Sequence, residues 1–525
     1  MARTMRASRP LRRAVALGAT LLVAACASVA PPTASMPADR ANAIAPGPAE
    51  ASDAGGDRSL AARCERAYAA LDAAVDAAGV RDAEATRVAG APSLRVTRFL
   101  ASLGPEAQDA PAFAQWRALL EEEDRVAREV EIGNLPERET RAVRAALDAE
   151  GLGALPPQAL LEGCGRALAD AATATPEARA ALVARAFVPD DYDDLARAAG
   201  LYPLTRIGFA AGIRIYERSV RDAFAGAPVV PPATAVAYVP AGAMPLAQGE
   251  AAALLARSRA NPLALPQPAD HELDRLFATH APTFVVDTQG EADRIGRPVL
   301  DRDGLPTTTP APVVFVRAAH TRFAGRIRLQ LVYTAWFPER PPAYAGDALA
   351  GRLDGVVWRV TLDDDGAPLA FDSIHACGCY HLFVPTARVA AKPAEASLDE
   401  QALVPATLPA VATGREVVVH VESGTHYVRA ARVDGIVPQS QKRYGMGREH
   451  ALRSLPHPQG GTRSLYGPDG LVAGTARAEV LLFWPLGIRY PGAMRQWGRH
   501  ATAFVGRRHF DEPHLLDRYF APAVQ

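Results

Sequence analysis

Residues 372–381 read Asp372-Ser-Ile-His375-Ala-Cys377-Gly378-Cys379-Tyr-His381, the densest run of chemistry-bearing side chains in the chain. His375, Cys377, Cys379 and His381 fall on alternate positions, so an extended strand would put all four on one face. Imidazole and thiolate together suit zinc or copper. A straight strand, at about 3.3 Å per residue, would hold the two histidines roughly 20 Å apart. Zinc–sulfur bonds of about 2.3 Å need convergence, so one ion cannot take all four from a straight strand. Gly378 permits a kink that brings Cys377 and Cys379 together, with further ligands from His320, His420 or His426. Glu422 is then a candidate acceptor that orients a ligating histidine. Three readings stay open: a Cys-Gly-Cys disulfide or simple packing, a zinc or copper site, and a cysteine nucleophile with a histidine base.

A second dense stretch, Met494 to His509, carries Arg495, Arg499, Arg507 and Arg508 with His500 and His509. It reads as an anion pocket, or equally as surface arginines paired with Asp511 and Glu512. Trp497 and Phe504 read as core. The chain lacks Gly-x-Ser-x-Gly, His-Glu-x-x-His, a phosphate-binding P-loop, Gly-x-Gly-x-x-Gly and Cys-x-x-Cys, which removes the motif-bearing hydrolases, zincins, NTPases, dinucleotide binders and thioredoxin-like proteins. A net charge of −1 over 525 residues gives no reason to expect a nucleic-acid partner. Only Lys392 and Lys442 are lysines, so the basic side chains are almost all arginine, as a GC-rich coding sequence would produce.

The elements that must position these residues change grammar along the chain. From Ser59 to Gly226 the period is helical: Leu60, Cys64, Tyr68, Leu71 and Val75 recur at three- and four-residue steps. Further helices are expected through Phe113 and Trp116, from Pro136 to before Gly151, and from near Pro157 and Pro176. The acidic run Asp190–Asp194 reads as a solvated face or a cap. Residues 227–268 are proline-rich and read as a connecting segment with one short helix around Ala251 to Arg257. From Thr283 the pattern is that of strands: 283–287, 312–317, 326–333, 356–362, a hairpin spanning 416–429, and 479–484. Arg326, Arg328 and Gln330 alternate with Ile327, Leu329 and Leu331, which predicts a sheet with one solvated face. Asp301–Gly304 and Asp363–Gly366 read as turns rather than calcium loops. The expected fold is α+β: an all-α domain over 59–226, then a largely antiparallel β-rich domain with added helices over 269–525.

Cysteines and the amino terminus set the compartment. Arg3, Arg6, Arg9, Arg12 and Arg13 precede a short apolar stretch from Ala14, which ends in Val23-Ala24-Ala25-Cys26. A dozen apolar residues cannot span a hydrocarbon core about 30 Å thick, so 1–25 reads as a cleaved signal. With Cys26 at its end the segment resembles a bacterial lipoprotein signal, and the whole chain resembles the large envelope lipoproteins of Gram-negative bacteria. The resemblance implies acylation of Cys26, a lipid bilayer as partner, and residence on the periplasmic face of the outer membrane because Ala27 follows the cysteine; the inner membrane is the alternative. An ordinary secretory signal with a chance cysteine is the competing reading. Residues 26–58 are Ala, Pro, Ser and Gly with few large apolar groups and read as a disordered tether. In an oxidising compartment Cys64 and Cys164 are expected to pair, stabilising the fold by about 4–5 kcal/mol for a loop of roughly 100 residues, or else to pack as two buried free thiols. The functional expectation is an envelope structural or interaction module, possible partner an envelope protein; the alternatives are the metal site and a Cys/His-dependent hydrolase or transferase.

Overall fold

The computed structural model describes residues 59–242 and 245–523. The signal 1–25, the tether 26–58 and Cys26 lie outside the described residues. Leu60–Gln525 forms one compact unit.

Helix α1 (Leu60–Ala78) buries Cys64, Tyr68, Leu71 and Val75, the stripe that its spacing demands. After a small hairpin, β1 (Thr86–Val88) and β2 (Ala91–Val96), come α2 (Arg98–Leu103), α3 (Ala110–Gly133), α4 (Glu137–Ala149), α5 (Pro157–Ala172), α6 (Pro176–Arg185), α7 (Asp194–Ala199) and α8 (Tyr202–Ala225). Their starts are written locally. Asp109, Thr175 and Asp193 each accept a hydrogen bond from the backbone N–H three residues on, satisfying a donor that the first helical turn leaves open. Pro157 and Pro176 open their helices where a missing N–H costs nothing. A disulfide joins Cys64 on α1 to Cys164 on α5, with their Cα atoms 5.2 Å apart.

The remaining elements are β3 (Ala235–Pro240), α9 (Gln248–Ser258), α10 (Asp270–His280), β4 (Thr283–Asp287), β5 (Arg297–Leu300), β6 (Pro306–Thr309), β7 (Val313–Phe323), β8 (Arg326–Arg340), β9 (Gly351–Leu362), β10 (Pro368–His375), β11 (Leu382–Pro385), β12 (Val389–Ala391), β13 (Val417–Val421), β14 (Val428–Val433), β15 (Gln441–Arg448), β16 (Leu455–Pro456), β17 (Thr462–Arg463), α11 (Val480–Phe483), α12 (Leu515–Tyr519) and β18 (Phe520–Pro522). Ten strands form one sheet in the order β11-β10-β9-β8-β7-β15-β3-β4-β13-β14. Strands β7 to β11 are an antiparallel meander, and β3/β4 and β13/β14 are also antiparallel. Parallel pairing occurs where β15 and β13 insert: Gln441–Tyr444 lie along β3, Gly445–Arg448 along β7, and β13 along β4. The fold is therefore α+β, with helices first and a mostly antiparallel sheet after.

Three expectations are corrected. The run 479–484 is not a strand: α11 and a 3₁₀ turn over Trp484–Leu486 occupy it, because Pro485 and Gly487 interrupt the backbone. The proline-rich stretch 227–268 does more than connect. Ala235-Val-Ala-Tyr-Val sits between two prolines and supplies β3, flanked by β4 and β15 inside the sheet. The face of β8 that carries Arg328 and Gln330 is not solvated; both are buried, Arg328 pairing with Asp363 at 2.7 Å and Gln330 donating to Thr361 at 3.0 Å. Polar alternation on a strand marks two faces but does not say which is wet.

Buried ion pairs join the helical half to the sheet half. Asp82 pairs with Arg453 at 2.7 Å and Glu84 with Arg317 at 2.7 Å, and within the helical half Arg95 bridges Asp124 and Glu131 on α3 beside them. Removing one partner of such a pair leaves an uncompensated buried charge, so this seam holds the two halves in one register.

Candidate functional site

The ends of β8, β9 and β10 meet the start of β14, and polar side chains meet there because antiparallel register sets Trp336 opposite Gly355, Phe337 opposite Asp354 and His375 opposite Val356. Asp354 is the hub. It is fully buried, accepts from His426 Nδ1 at 2.8 Å and from Arg477 Nη2 at 3.2 Å, and lies 3.5 Å from His375 Nδ1. His426 Nε2 faces Asp293 Oδ1 at 3.5 Å, and its ring stacks on Phe337 with centroids 3.9 Å apart. Asp293 is held in turn by the Gly424 N–H at 2.6 Å and the Ser423 hydroxyl at 2.8 Å.

Burial opposes a charge on His426, but the Asp293 carboxylate beside Nε2 and the hydrogen bond to Asp354 overcome that and raise its pKa above the ordinary imidazole value. Asp354 is held well below the usual carboxylate range: burial works against its charge, and Arg477 and the two histidines outweigh it. His375 goes the other way, since burial lowers its pKa more than Asp354 raises it. One imidazole is thus poised as a cation and its neighbour as a neutral ring, with both nitrogens of His375 lacking a hydrogen-bond partner. Glu479, buried beside Arg477, Arg340 and Arg495, is pushed by burial up to about 7.

Around this core stand Tyr380 and Tyr427, with ring centroids 4.5 Å apart, and Tyr216 from α8, 5.6 Å from Tyr380. Arg340 lies over the Tyr427 ring and 3.5 Å from its hydroxyl, and its Nη1 has no partner. Tyr216, Ser373, His375, Tyr380 and Tyr427 line a cavity with room for about one water molecule. Leu353, Tyr380 and His426 all take positive φ (53°, 62° and 53°), a conformation that costs non-glycine residues of order 1–3 kcal/mol each. Such outliers persist only where the surroundings over-determine them.

The turn after β10 brings Cys377 and Cys379 together. Gly378 has φ +93°, its N–H donates to the His375 carbonyl at 2.8 Å, and the His375 N–H donates to the Cys379 carbonyl at 2.9 Å. Both cysteines are buried free thiols. A hydrogen bond between the two side chains favours the thiolate of Cys377 and, with burial, pushes the Cys379 thiol well up. Arg495 clamps the turn by donating to the Cys377 carbonyl at 2.9 Å.

The other candidate residues do not gather here. His381 turns to Asp372, 3.3 Å away, which is itself paired with Arg359. His420 lies on β13, opposite Ala430, and His320 meets the Pro266 carbonyl at 2.8 Å. Among the described residues no three His, Cys, Asp or Glu side chains converge as a metal ligand set. The arginines of 494–509 do not form one pocket either. Arg495 and Arg508 are buried, Arg499 donates to the Ala83 carbonyl at 2.8 Å, and Arg507 pairs with Asp190 and Asp194. Their partners are mostly carbonyls and the 190–194 acids; Asp511 pairs instead with Arg98, because helix-rich segments far back in the chain pack against this loop.

Sequence reasoning missed Asp293, Arg340, Asp354, Tyr380, Tyr427, Arg477 and Glu479. The signal available was Asp354 itself, the lone acid of β9 between Leu353 and the Val356-Val-Trp run, where a charge survives only with partners. No family model matches the chain, and no curated protein and no solved structure matches it either, so its chemistry has to be read from these residues.

Proposed function

We propose that the chain is a lipoprotein of the periplasmic face of the bacterial outer membrane, anchored through Cys26, and that its folded body acts by docking rather than by turnover. The observation that carries this reading is a contiguous apolar surface on α7, α8 and the 480–490 segment, where Leu195, Leu204 and Leu481 are 80%, 67% and 76% exposed. Large apolar side chains grouped on the outside of a compact body mark a contact surface. The polar cluster around Asp354 is by contrast closed, with space for about one water. Mass spectrometry of the amino-terminal peptide from native protein tests the anchor: Cys26 should begin the chain and carry acyl groups. A free thiol at Cys26, or a chain that starts elsewhere, overturns it. Thiol protection tests the docking: Leu204→Cys should resist a water-soluble maleimide in cells and label freely in the purified unacylated protein, and equal labelling in both overturns it.

A second reading is chemistry at His375, Cys377 and Cys379, with zinc or copper as the metal if one is bound. It is favoured by the left-handed backbone at Leu353, Tyr380 and His426 around those side chains. Elemental analysis of protein from its native compartment decides the metal. A stoichiometric metal lost on Cys377→Ala supports it, and less than about a tenth of an equivalent eliminates it.

A further inference from the structure

Helix α8 is two-faced. Ala210, Val220 and Phe224 are buried, and Tyr216 reaches the Asp354 cluster, whereas Leu204, Ile207, Ala211 and Ile215, at steps of three, four and four, are exposed along one stripe. Gly208 and Gly212 on the same helix have no atom within 4 Å of the place a Cβ would take. The stripe continues onto neighbouring elements. Arg197 of α7 donates to the Leu486 carbonyl at 2.8 Å, the Asp193 N–H donates to the Gly487 carbonyl at 2.7 Å, and Phe209 of α8 lies 5.8 Å from Phe483. These contacts set Leu195, Leu481, Trp484 and Tyr490, all exposed, beside the α8 stripe.

Among the unpaired charges at this surface the basic ones are the more numerous. Arg214, Arg218 and Arg489 are exposed and carry no ion pair among the described residues; of the nearby acids, Asp190 and Asp194 are engaged by Arg507, Glu217 by Arg221 at 3.6 Å and Asp193 by capping α7, which leaves Asp222 of α8 exposed without an ion pair. Leucines and isoleucines, an amphipathic tryptophan and tyrosine, and free guanidinium groups are the composition of a segment that rests at a membrane interface. We propose that this surface lies in the headgroup region of an anionic bilayer, the same bilayer to which Cys26 fastens the chain. The proposal rests on the anchored reading and deepens it. From Cys26 to Leu60 the chain can extend at most about 110–120 Å, so an anchored body never leaves the neighbourhood of the lipid surface. A second copy of the chain is the poorer occupant, because each protomer would bring three unpaired arginines against one unpaired acid, Asp222, whereas phosphatidylglycerol supplies the missing negative charge.

The test uses the mature chain with Cys26→Ser, exported behind a cleavable secretory signal so that no acyl group is attached. It is co-sedimented with vesicles of phosphatidylcholine alone and of phosphatidylcholine and phosphatidylglycerol in equal parts. The expected result is binding to the anionic vesicles, weakened by salt and at least tenfold by Leu204→Glu combined with Leu481→Glu. Arg214→Glu should weaken it by about fivefold or more, the value of one interfacial arginine. Circular dichroism identical to that of the parent confirms that these exposed substitutions leave the fold intact. A chain that stays in the supernatant with both vesicles overturns the proposal, as does a dimer in sedimentation velocity that Leu204→Glu dissociates while vesicles are ignored. The amino-terminal mass spectrum separates the two readings. Vesicle binding with an unmodified Cys26 removes the anchor and keeps this surface, whereas an acylated Cys26 without vesicle binding does the reverse.

Discussion

Replacing both Cys64 and Cys164 with alanine removes the covalent tie between α1 and α5 while keeping two small apolar side chains in a buried site. The disulfide spans 100 residues, and the chain-entropy model gives such a cross-link about 4.7 kcal/mol at 25 °C. How that loss appears on heating depends on what melts as a unit. At about 2.1 cal/mol/K per residue, unfolding Leu60–Gln525 together carries an entropy of about 1 kcal/mol/K, so the melting temperature should drop by about 5 °C. If residues 59–226 melted alone, the same free energy would lower their transition by about 13 °C. The buried pairs Arg453–Asp82 and Arg317–Glu84 cross between the two halves, so a single transition shifted by about 5 °C is expected. Differential scanning calorimetry of the parent and the double variant, with thiol mapping of the parent, measures this. Two resolved transitions with only the first displaced would refute the role given to the ion-pair seam, and no shift at all would refute the stabilisation.

Two further outcomes follow from the Asp354 cluster. Burial raises the Glu479 carboxyl from 4.5 to about 7, so the stability it contributes is fully present below pH 4.5 and is lost as pH rises through about 7; relative to Glu479→Gln, the parent should lose about 3 kcal/mol between pH 4.5 and 8 in urea titrations, and parallel curves would show the carboxyl is not perturbed. Gly378→Ala should destabilise by about 2 kcal/mol or more, because φ is +93° and the new Cβ would sit 2.7 Å from the Ala501 carbonyl oxygen; an unchanged urea midpoint would mean that the turn is not held as described.

Much of this molecule is local, and local features are legible in a sequence. The stripe from Cys64 to Val75, the helix starts at Pro157 and Pro176, the turns at Asp301–Gly304 and Asp363–Gly366 and the hairpin through His420 and His426 all follow from periods, caps and glycines within a few residues of one another. The kink at Gly378 was also readable, since only glycine takes that backbone easily. What the sequence alone left undetermined depends on contacts between distant residues. Strand order is one case: β15, more than a hundred residues after β7, pairs in parallel with it and with β3, and no local pattern encodes a partner at that distance. Which face of β8 is wet is another, because Arg328 is covered only when the 363–364 turn folds back over it. The polar cluster is the clearest. His375 and His381, six residues apart, part company at the turn, one to Asp354 and the other to Asp372, whereas His426 joins Asp354 from 72 residues away. A buried charge takes whichever partner the packed chain delivers, and that choice exists only in three dimensions.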